Sequence, residues 1–302
     1  MDYLSNGGAL FCAATCWGHL QLCPNEKLKD IDLYKFLKDY MGMILTEDVL
    51  SFPDEIKVSE NNAKYSHLDL AINKITSNPD KIKKYSGTLS YGLDILNDEG
   101  ILTCQRISEI KDLIRIKCED SGCFPFPTEK CPLKNPLEKN ICKLLGKCYN
   151  YTDGEKAPVI DLFPGDFVDK ELNLRSDLEF KFESKFEERI STGFYLPAGL
   201  RIVINVISGN VQKWSVRIGS HTDDLSGCKE LKRWPIVTVR KDLEKNMCFS
   251  SPFGGLVYFE CQEDSSPIRV SISNVVESPF LDLTRPETVL DWNRRKNSSG
   301  LW

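Results

Sequence analysis

The second half of the chain is dominated by short runs in which apolar and polar residues alternate. Residues 178–182 and 268–272 place an apolar side chain at every second position, with charged or hydroxyl residues between them. Residues 201–207 are apolar at nearly every position, which is typical of a strand in the middle of a sheet. Because turn signals such as Pro-Ala-Gly and Phe-Gly-Gly separate these runs, the pattern predicts an antiparallel β-sandwich over residues 166–283.

The first half follows a helical period instead. Residues 6–16 read as a glycine-led apolar strand that ends in a turn at Trp17-Gly18. Four prolines and five cysteines interrupt the period over 118–157, so an irregular segment with one short helix near 136–145 is predicted there. Apolar residues recur at spacings of three and four in three further segments, each predicted to form an amphipathic helix: residues 28–45, 66–77 and 99–116.

The change of period places a domain boundary between about 150 and 166. Residues 158–165 are predicted to form a short strand that ends in a turn. Thr284 and Glu287 fit a capping box, which predicts the beginning of a helix. The expected fold is therefore multidomain α+β, in three parts: an α/β unit over 1–150, the sandwich over 166–283, and the start of a following domain over 284–302.

Composition narrows the function classes. The net charge is −5, from 39 basic and 44 acidic residues, so no clustered basic surface for nucleic acid is expected. No apolar run approaches the roughly 20 residues of a membrane-spanning helix, and no signal peptide is apparent at the N-terminus. We therefore expect a cytoplasmic protein, without membrane insertion, whose twelve cysteines are reduced.

The most site-like cluster of side chains is His221-Thr222-Asp223-Asp224. One imidazole and two carboxylates are ligands that zinc accepts. Asp and Thr after a Gly-Ser pair are also typical of a tight turn, in which their side chains bind nearby backbone amides. The turn is the favoured interpretation, with ligand binding as the alternative.

Two tryptophans complete the candidate ligand-binding set. Trp214 and Trp234 could form a platform for a carbohydrate, although aromatic residues on strands are more often part of a core. The set of candidate ligand-binding residues is therefore Trp214, His221, Asp223, Asp224 and Trp234.

The cysteines do not form a recognisable metal or catalytic motif. The five cysteines of 118–157 lack a Cys-x-x-Cys knuckle, which makes a structural zinc site unfavoured. Cys12 and Cys16 lie where an amidotransferase carries its nucleophile, but the flanking glycines are incomplete. His67 lacks the expected partner glutamate. We expect no catalytic residue, no bound metal and no cofactor.

Three stretches of the sandwich resemble one protein family: STGFYLPAG at 191–199, IGSHTDDL at 218–225 and PFGGLVY at 252–258. They are similar to the TRP channel-associated factors, which are relatives of the enhancin-like zinc metallopeptidases. Residues 7–15 and Trp17-Gly18 resemble the degenerate amidotransferase-like domain of the same family. The resemblance implies a partial flavodoxin-like fold for the first half, followed by the sandwich.

The resemblance also implies what the chain does. Members of this family continue into a peptidase-like domain with a His-Glu-x-x-His zinc motif, but the three histidines here are not at that spacing. A partial, non-enzymatic member is therefore expected. The implied partner is a cold-sensing melastatin-type TRP channel, whose trafficking to the cell surface and activity it would modulate from the cytosolic face of the plasma membrane.

Two alternatives to this function stay open. The chain could be a substrate- or glycan-recognition fragment of an enhancin-like metallopeptidase without its catalytic domain. A cysteine-dependent amidotransferase-type hydrolase is the third hypothesis, and it depends on Cys12 and Cys16.

Overall fold

The structure is a computed structural model of the 302-residue chain. The chain divides into two compact units, Met1–Asn62 and Ala63–Trp302. The structure describes the following residues: 6, 16–23, 26–41, 43–45, 68–98, 100, 102–121, 126–166, 172–184, 188–261, 265–281 and 292. Among these residues, no helix is both long and apolar enough to cross a lipid bilayer.

The described part of Met1–Asn62 is helical. Its elements are helix α1 (Cys16–Leu22), a 3₁₀ turn (Leu28–Asp30) and helix α2 (Asp32–Met41). The predicted helix over 28–45 is confirmed, although its first residues form the 3₁₀ turn. Tyr34 and Leu37 form its buried face. The strand predicted over 6–16 lies almost entirely outside the described residues.

Cys16 corrects that strand prediction at its C-terminal end. It begins a helix and does not end a strand. The segment from Cys16 to Leu22 contains no β-branched residue and no proline, so a helix can form there despite Gly18. His19 lies within α1.

Helices also dominate the first part of Ala63–Trp302. The predicted helices near 66–77, 99–116 and 136–145 are confirmed with different ends. The last helix begins at Pro136, where the side chain of Asn135 accepts a hydrogen bond from the Leu137 amide. The helices and the short 3₁₀ turn are as follows: α3 (Leu68–Ser77), 3₁₀ (Pro79–Lys81), α4 (Ile82–Asp98), α5 (Cys104–Ser121) and α6 (Pro136–Tyr151).

Helix α4 was not predicted from the sequence. Its buried residues follow the spacing of three and four that defines a helical stripe, but Gly87 and Gly92 dilute the pattern. The stripe consists of Ile82, Tyr85, Leu89 and Leu93.

The flavodoxin-like arrangement of the first half is not confirmed. The regular elements among the described residues between 68 and 151 are helices, and residues 126–135 are irregular apart from an isolated bridge in which Leu133 and Leu231 exchange backbone hydrogen bonds. The strand predicted at 158–165 is wrong. This segment is a series of turns in which the Leu162 amide bonds to the Val159 carbonyl and the Gly165 amide to the Ile160 carbonyl.

The antiparallel β-sandwich is confirmed. One sheet has the strand order β1-β8-β3-β6 and the other the order β5-β4-β7-β2-β9. The strands are β1 (Leu178–Ser184), β2 (Glu188–Leu196), β3 (Arg201–Ser208), β4 (Trp214–Ile218), β5 (Val239–Asp242), β6 (Asn246–Ser250), β7 (Gly255–Cys261), β8 (Ser265–Ser273) and β9 (Val276–Glu277).

The inner faces of the two sheets form one core, called the sheet core below. Phe182 of β1 stacks on Phe259 of β7 with ring centroids 4.4 Å apart, and Trp214 is 2% exposed beside them. Strand β3 lies inside its sheet, between β8 and β6, as its apolar sequence indicated. Its outer face nevertheless contacts solvent, as the 47% exposure of Ile207 shows.

A second core joins helices α3–α6 to the loop over residues 225–237, and it is called the junction core below. The ring of Trp234 is fully buried there, against Phe126, Tyr149 and Phe253. The helix α6 backbone comes close to this ring because Gly146 has no side chain: a Cβ built there would lie 3.6 Å from it. The helices and the sandwich therefore pack within a single compact unit.

Candidate functional site

The loop after β4 carries three of the predicted site residues. The Thr238 hydroxyl donates a hydrogen bond to the His221 carbonyl, which fixes the start of the loop. Asp224 caps the 3₁₀ turn Leu225–Gly227, since its carboxylate accepts from the Ser226 amide at 2.8 Å. This arrangement is the tight turn that the sequence favoured.

Asp223 connects His221 to Arg233. Its carboxylate lies 3.5 Å from the His221 Nδ1 and accepts from the Arg233 guanidinium at 2.5 Å. Desolvation opposes the charged form of Asp223. A backbone amide and the charges of Arg233 and His221 outweigh that effect, so the pKa of Asp223 is below its usual range. Arg233 thus favours the ionised form of this carboxylate.

The two aspartates turn in different directions. Asp223 faces Arg233, whereas Asp224 faces Ser226 and lies 3.8 Å from the Lys143 amine of α6. Within the described part of the chain, His221 and these carboxylates do not converge as a group of three metal ligands. The loop geometry is explained by its own backbone and its basic neighbours.

An aromatic ring lies between the imidazole and the guanidinium. Phe163 is 5.1 Å from the His221 ring, centroid to centroid, and the Arg233 guanidinium lies 4.6 Å from the Phe163 centroid. The attraction between the guanidinium charge and the face of the aromatic ring stabilises the contact between Arg233 and Phe163. The segment of turns at 158–165 is therefore attached to the sandwich by its side chains.

The two predicted tryptophans have separate environments. Trp234 follows Arg233 and belongs to the junction core, where its indole N–H donates to the Pro158 carbonyl at 2.8 Å. Trp214 lies in the sheet core, and its ring is not accessible to a surface ligand. The structure thus places Trp234 in the junction core, next in sequence to the Arg233 that binds Asp223, and places Trp214 in the sheet core.

Of the predicted site residues, only Trp234 borders a groove of about 560 Å³, together with Phe163 and Arg233; this volume is within the size range of small-ligand sites. Three chain segments form it: residues 127–130, 159–163 and 225–234. Its apolar part includes Phe163 and Leu162, and Leu162 is 66% exposed. The charged rim consists of Glu129, Lys130, Glu230, Lys232 and Arg233. Such a groove can accept an apolar or aromatic group while the rim contacts polar groups around it.

Sequence reasoning missed Phe163, Leu162 and Arg233 as groove residues. Phe163 and Arg233 are 70 positions apart in the sequence, so no local spacing connects them. The sequence held one indication of a buried role for Phe163. This apolar residue lies between Pro158 and Pro164, which is unusual for a solvated loop.

The outer face of the second sheet carries an arginine cluster. The Glu260 carboxylate, 13% exposed, accepts from Arg189 at 3.0 Å and Arg240 at 2.8 Å, and also from Arg217. Burial opposes its ionisation. Hydrogen bonds from Arg217 and Arg240, the charge of Arg217 and the bond from Arg189 together hold the pKa of Glu260 below its usual range. One carboxylate thus neutralises the repulsion among three cations.

The catalytic alternatives find no assembled site among the described residues. Cys12 and His67 lie outside them, and Cys16 is buried in α1. Of the five cysteines in 118–157, Cys142 and Cys148 are buried on α6, whereas Cys131 is exposed. None of the cysteines whose side chains the structure describes forms a disulfide.

Comparison with known proteins relates the chain to two groups. Residues 172–273 match the family described as the N-terminal domain of M60-like peptidases. The TRPM8 channel-associated factor homolog of Danio rerio is 24% identical over 235 residues, which cover 70% of this chain and 25% of that protein. TRPM8 channel-associated factor 1 of Homo sapiens is 30% identical over 118 residues, covering 37% of this chain and 13% of that protein.

Among solved structures, the chain is similar to IMPa from Pseudomonas aeruginosa in complex with an O-glycopeptide. The TM-score is 0.35 at 12% identity, covering 65% of this chain and 26% of that one. The chain spans a quarter or less of the length of the two curated relatives. The relationship expected from the sequence is confirmed: the chain is a relative of the TRPM8 channel-associated factors, and its sandwich is similar to the N-terminal domain of M60-like peptidases.

Proposed function

We propose that this chain is a non-catalytic binding protein whose partner is a TRPM8-type cation channel. It would act at the cytosolic face of the plasma membrane, promote the arrival of the channel at the cell surface and modulate channel activity. The observation that carries this proposal is the similarity, over 235 residues, to a protein named a TRPM8 channel-associated factor homolog.

The groove beside Arg233 is the surface that best fits a protein partner. It combines the exposed Leu162 with an aromatic ring and a charged rim, a combination that is typical of the anchor regions of interfaces. The residues that position it, Trp234 and Pro158, are held by the junction core. The groove is therefore preformed, which lowers the entropy cost of binding.

Co-precipitation from cells that express the channel and the chain tests the proposal. We expect enrichment of the channel over an unrelated membrane protein, together with more channel in surface biotinylation. Absence of both effects would contradict the function itself.

A pair of variants then tests the groove. Leu162→Asp places a charge on its apolar part, whereas Leu174→Asp does the same at a leucine outside the groove that is 40% exposed. We expect roughly a tenfold loss of channel binding for Leu162→Asp only, as for an anchor residue worth about 1.4 kcal/mol. Equal binding of both variants would move the interface away from the groove and leave the function in place.

A second function, recognition of a glycan or glycoprotein, is favoured by the match of residues 172–273 to the M60-like N-terminal domain. Here the Phe163 ring would stack on a sugar and Arg233 would contact its hydroxyl groups. Selective binding on a glycan array, lost in Phe163→Ala and kept in Leu174→Asp, would support this function. Channel enrichment without any glycan binding would favour the adaptor function.

The domain division belongs to the same proposal. The resemblance of residues 7–15 supports an amidotransferase-like origin for residues 1–150, followed by a sandwich over 166–283. Limited proteolysis that releases a stable fragment beginning between about 150 and 166 would support this division. Resistance of that segment, with cleavage only near residue 62, would contradict it.

A further inference from the structure

We propose that His19, Cys23 and Glu26 form a binding site for a divalent transition metal of the zinc class. One possible ligand atom from each of the three side chains lies within 4.8 Å of the others, and no other group of three ligands is found among the described residues. All three side chains are at least partly open to solvent, so an ion can reach them. The site lies in Met1–Asn62 and shares no residue with the groove.

The backbone brings these residues to one side. His19 lies in α1, and the Cys23 amide donates to the His19 carbonyl at 2.9 Å, continuing the helical turn. The Glu26 amide in turn donates to the Cys23 carbonyl at 3.0 Å. His19 and Cys23 are four positions apart and share a face at the end of α1, and the backbone bond to Cys23 keeps Glu26 close to them.

The distances need little adjustment for a metal. The His19 Nε2 and a Glu26 carboxylate oxygen are already 2.9 Å apart. Ligands bonded to zinc at about 2.0–2.3 Å in a tetrahedral shell lie roughly 3.5 Å from one another. A rotation of the Cys23 side chain, which is only partly buried, would complete this arrangement.

The donor set determines the class of ion. An imidazole nitrogen and a thiolate favour zinc, cobalt, nickel or copper over calcium and magnesium, which prefer oxygen ligands. Three protein ligands leave the fourth position of a zinc ion to water. Binding would release the thiol proton, so affinity would rise with pH.

The competing interpretation is a simple ion pair between His19 and Glu26, 42% and 54% exposed, next to an uninvolved thiol. Such exposed pairs contribute little to stability. They do not require the Cys23 sulfur to lie on the same side. The two interpretations differ in one measurable way, which is whether the sulfur is bound by the metal.

Titration of the full chain with Co²⁺ under reducing conditions provides the test. We expect one equivalent to produce a thiolate-to-cobalt absorption band that Zn²⁺ displaces. Cys23→Ser should abolish the band, and His19→Gln and Glu26→Gln should each weaken binding by about tenfold or more. The matched controls are Cys228→Ser, an exposed cysteine in the other unit, and His221→Gln, and both should leave the band unchanged.

A second measurement needs no variant. In the unmodified chain, Zn²⁺ should protect Cys23 from iodoacetamide, read by peptide mapping, while Cys228 and Cys131 stay reactive. No thiolate band together with unprotected Cys23 would overturn the proposal. A band that persists in Cys23→Ser, or an affinity in His19→Gln and Glu26→Gln equal to that of the parent chain, would overturn it as well.

Discussion

Trp214 and Trp234 are both buried, but they lie in two cores that are built differently. Trp214 belongs to the sheet core, where side chains from regular strands pack in register and Phe182 lies 6.3 Å away, centroid to centroid. Trp234 belongs to the junction core, where the ring contacts come from Phe126, Tyr149 and Phe253, three distant parts of the chain. The first core repeats a pattern, and the second is assembled from irregular segments.

The difference shows where a binding surface can form. The sheet core leaves only the edges and outer faces of the sandwich for contacts. The junction core holds the turns at 158–165 against the loop at 225–237, and the groove lies between them. Regular packing therefore gives the scaffold, and the irregular junction gives the groove its shape.

Replacing each tryptophan is the strongest way to separate the two cores. Trp234→Ala removes three ring contacts and the bond to the Pro158 carbonyl, and Trp214→Ala removes the packing beside Phe182. Each should lower the free energy of unfolding by about 3–5 kcal/mol, measured by urea denaturation.

Hydrogen exchange should locate the damage of these two changes. Trp234→Ala should raise exchange mainly in α6 and the turns at 158–165, and Trp214→Ala mainly in β4 and β7. Equal increases in both regions for both variants would mean that the two cores form one cooperative unit.

A pair of glycines tests how tightly each region is packed. Gly209 has φ of 105°, and a Cβ there would lie 2.3 Å from the Pro267 carbonyl oxygen, so Gly209→Ala should destabilise by about 2–3 kcal/mol. Gly87 in α4 has no atom within 4 Å of a built Cβ, so Gly87→Ala should stabilise by about 0.5–1 kcal/mol. Thermal unfolding measures both effects, and a stabilising Gly209→Ala would contradict the described backbone.

Glu260→Gln acts on the sandwich alone. It leaves three arginines without their carboxylate and should cost about 1–2 kcal/mol at pH 7, a value reduced by the partial exposure of the arginines. The pKa of Glu260 is lowered in the fold, so its contribution is complete above the unfolded value of about 4.3 and is lost as pH falls through the folded pKa.

Denaturation at several pH values checks this sign. The stability difference between the parent chain and Glu260→Gln should stay constant from about pH 6 to 8 and shrink below about pH 4. A difference that grows on acidification would contradict the assigned role of the three arginines.

Thiol labelling tests the packing of helix α6 and requires no mutation. Burial raises the pKa of Cys142 and of Cys148 to about 12, although the Lys111 charge and a backbone hydrogen bond partly oppose this for Cys148. Both should remain protonated at pH 8 and react at least about a hundredfold more slowly than exposed Cys228. Reaction of Cys148 at the rate of Cys228 would indicate that α6 does not pack as described.

The sandwich could be predicted because the alternation of apolar and polar residues that specifies its strands is local in the sequence. Phe180 and Phe182 alternate with charged residues, and a period of two leaves few other structures. The groove could not be predicted in this way, because Phe163 meets Arg233 only through tertiary packing. The strand predicted at 158–165 was wrong because an apolar run between prolines can also be buried as consecutive turns.

Only part of the candidate site could be predicted, because only part of it depends on residues that are neighbours in the sequence. The turn at Asp223 and Asp224 follows from local side-chain to backbone bonding, which residue types reveal. The two environments of Trp214 and Trp234 do not follow from their neighbours in sequence, since each tryptophan directly follows a basic residue. Only the packing of other segments distinguishes them.

Gly146 gives the junction a fixed spacing. The helix α6 backbone meets the Trp234 ring at a position without a side chain, so a side chain larger than that of alanine would push the two apart. Alanine fits the remaining space, whereas valine and leucine would act as wedges of increasing size. A graded series at this single position would therefore change the separation of the helix from the loop in steps. The width of the groove, and the binding of a ligand in it, could then be compared with that separation.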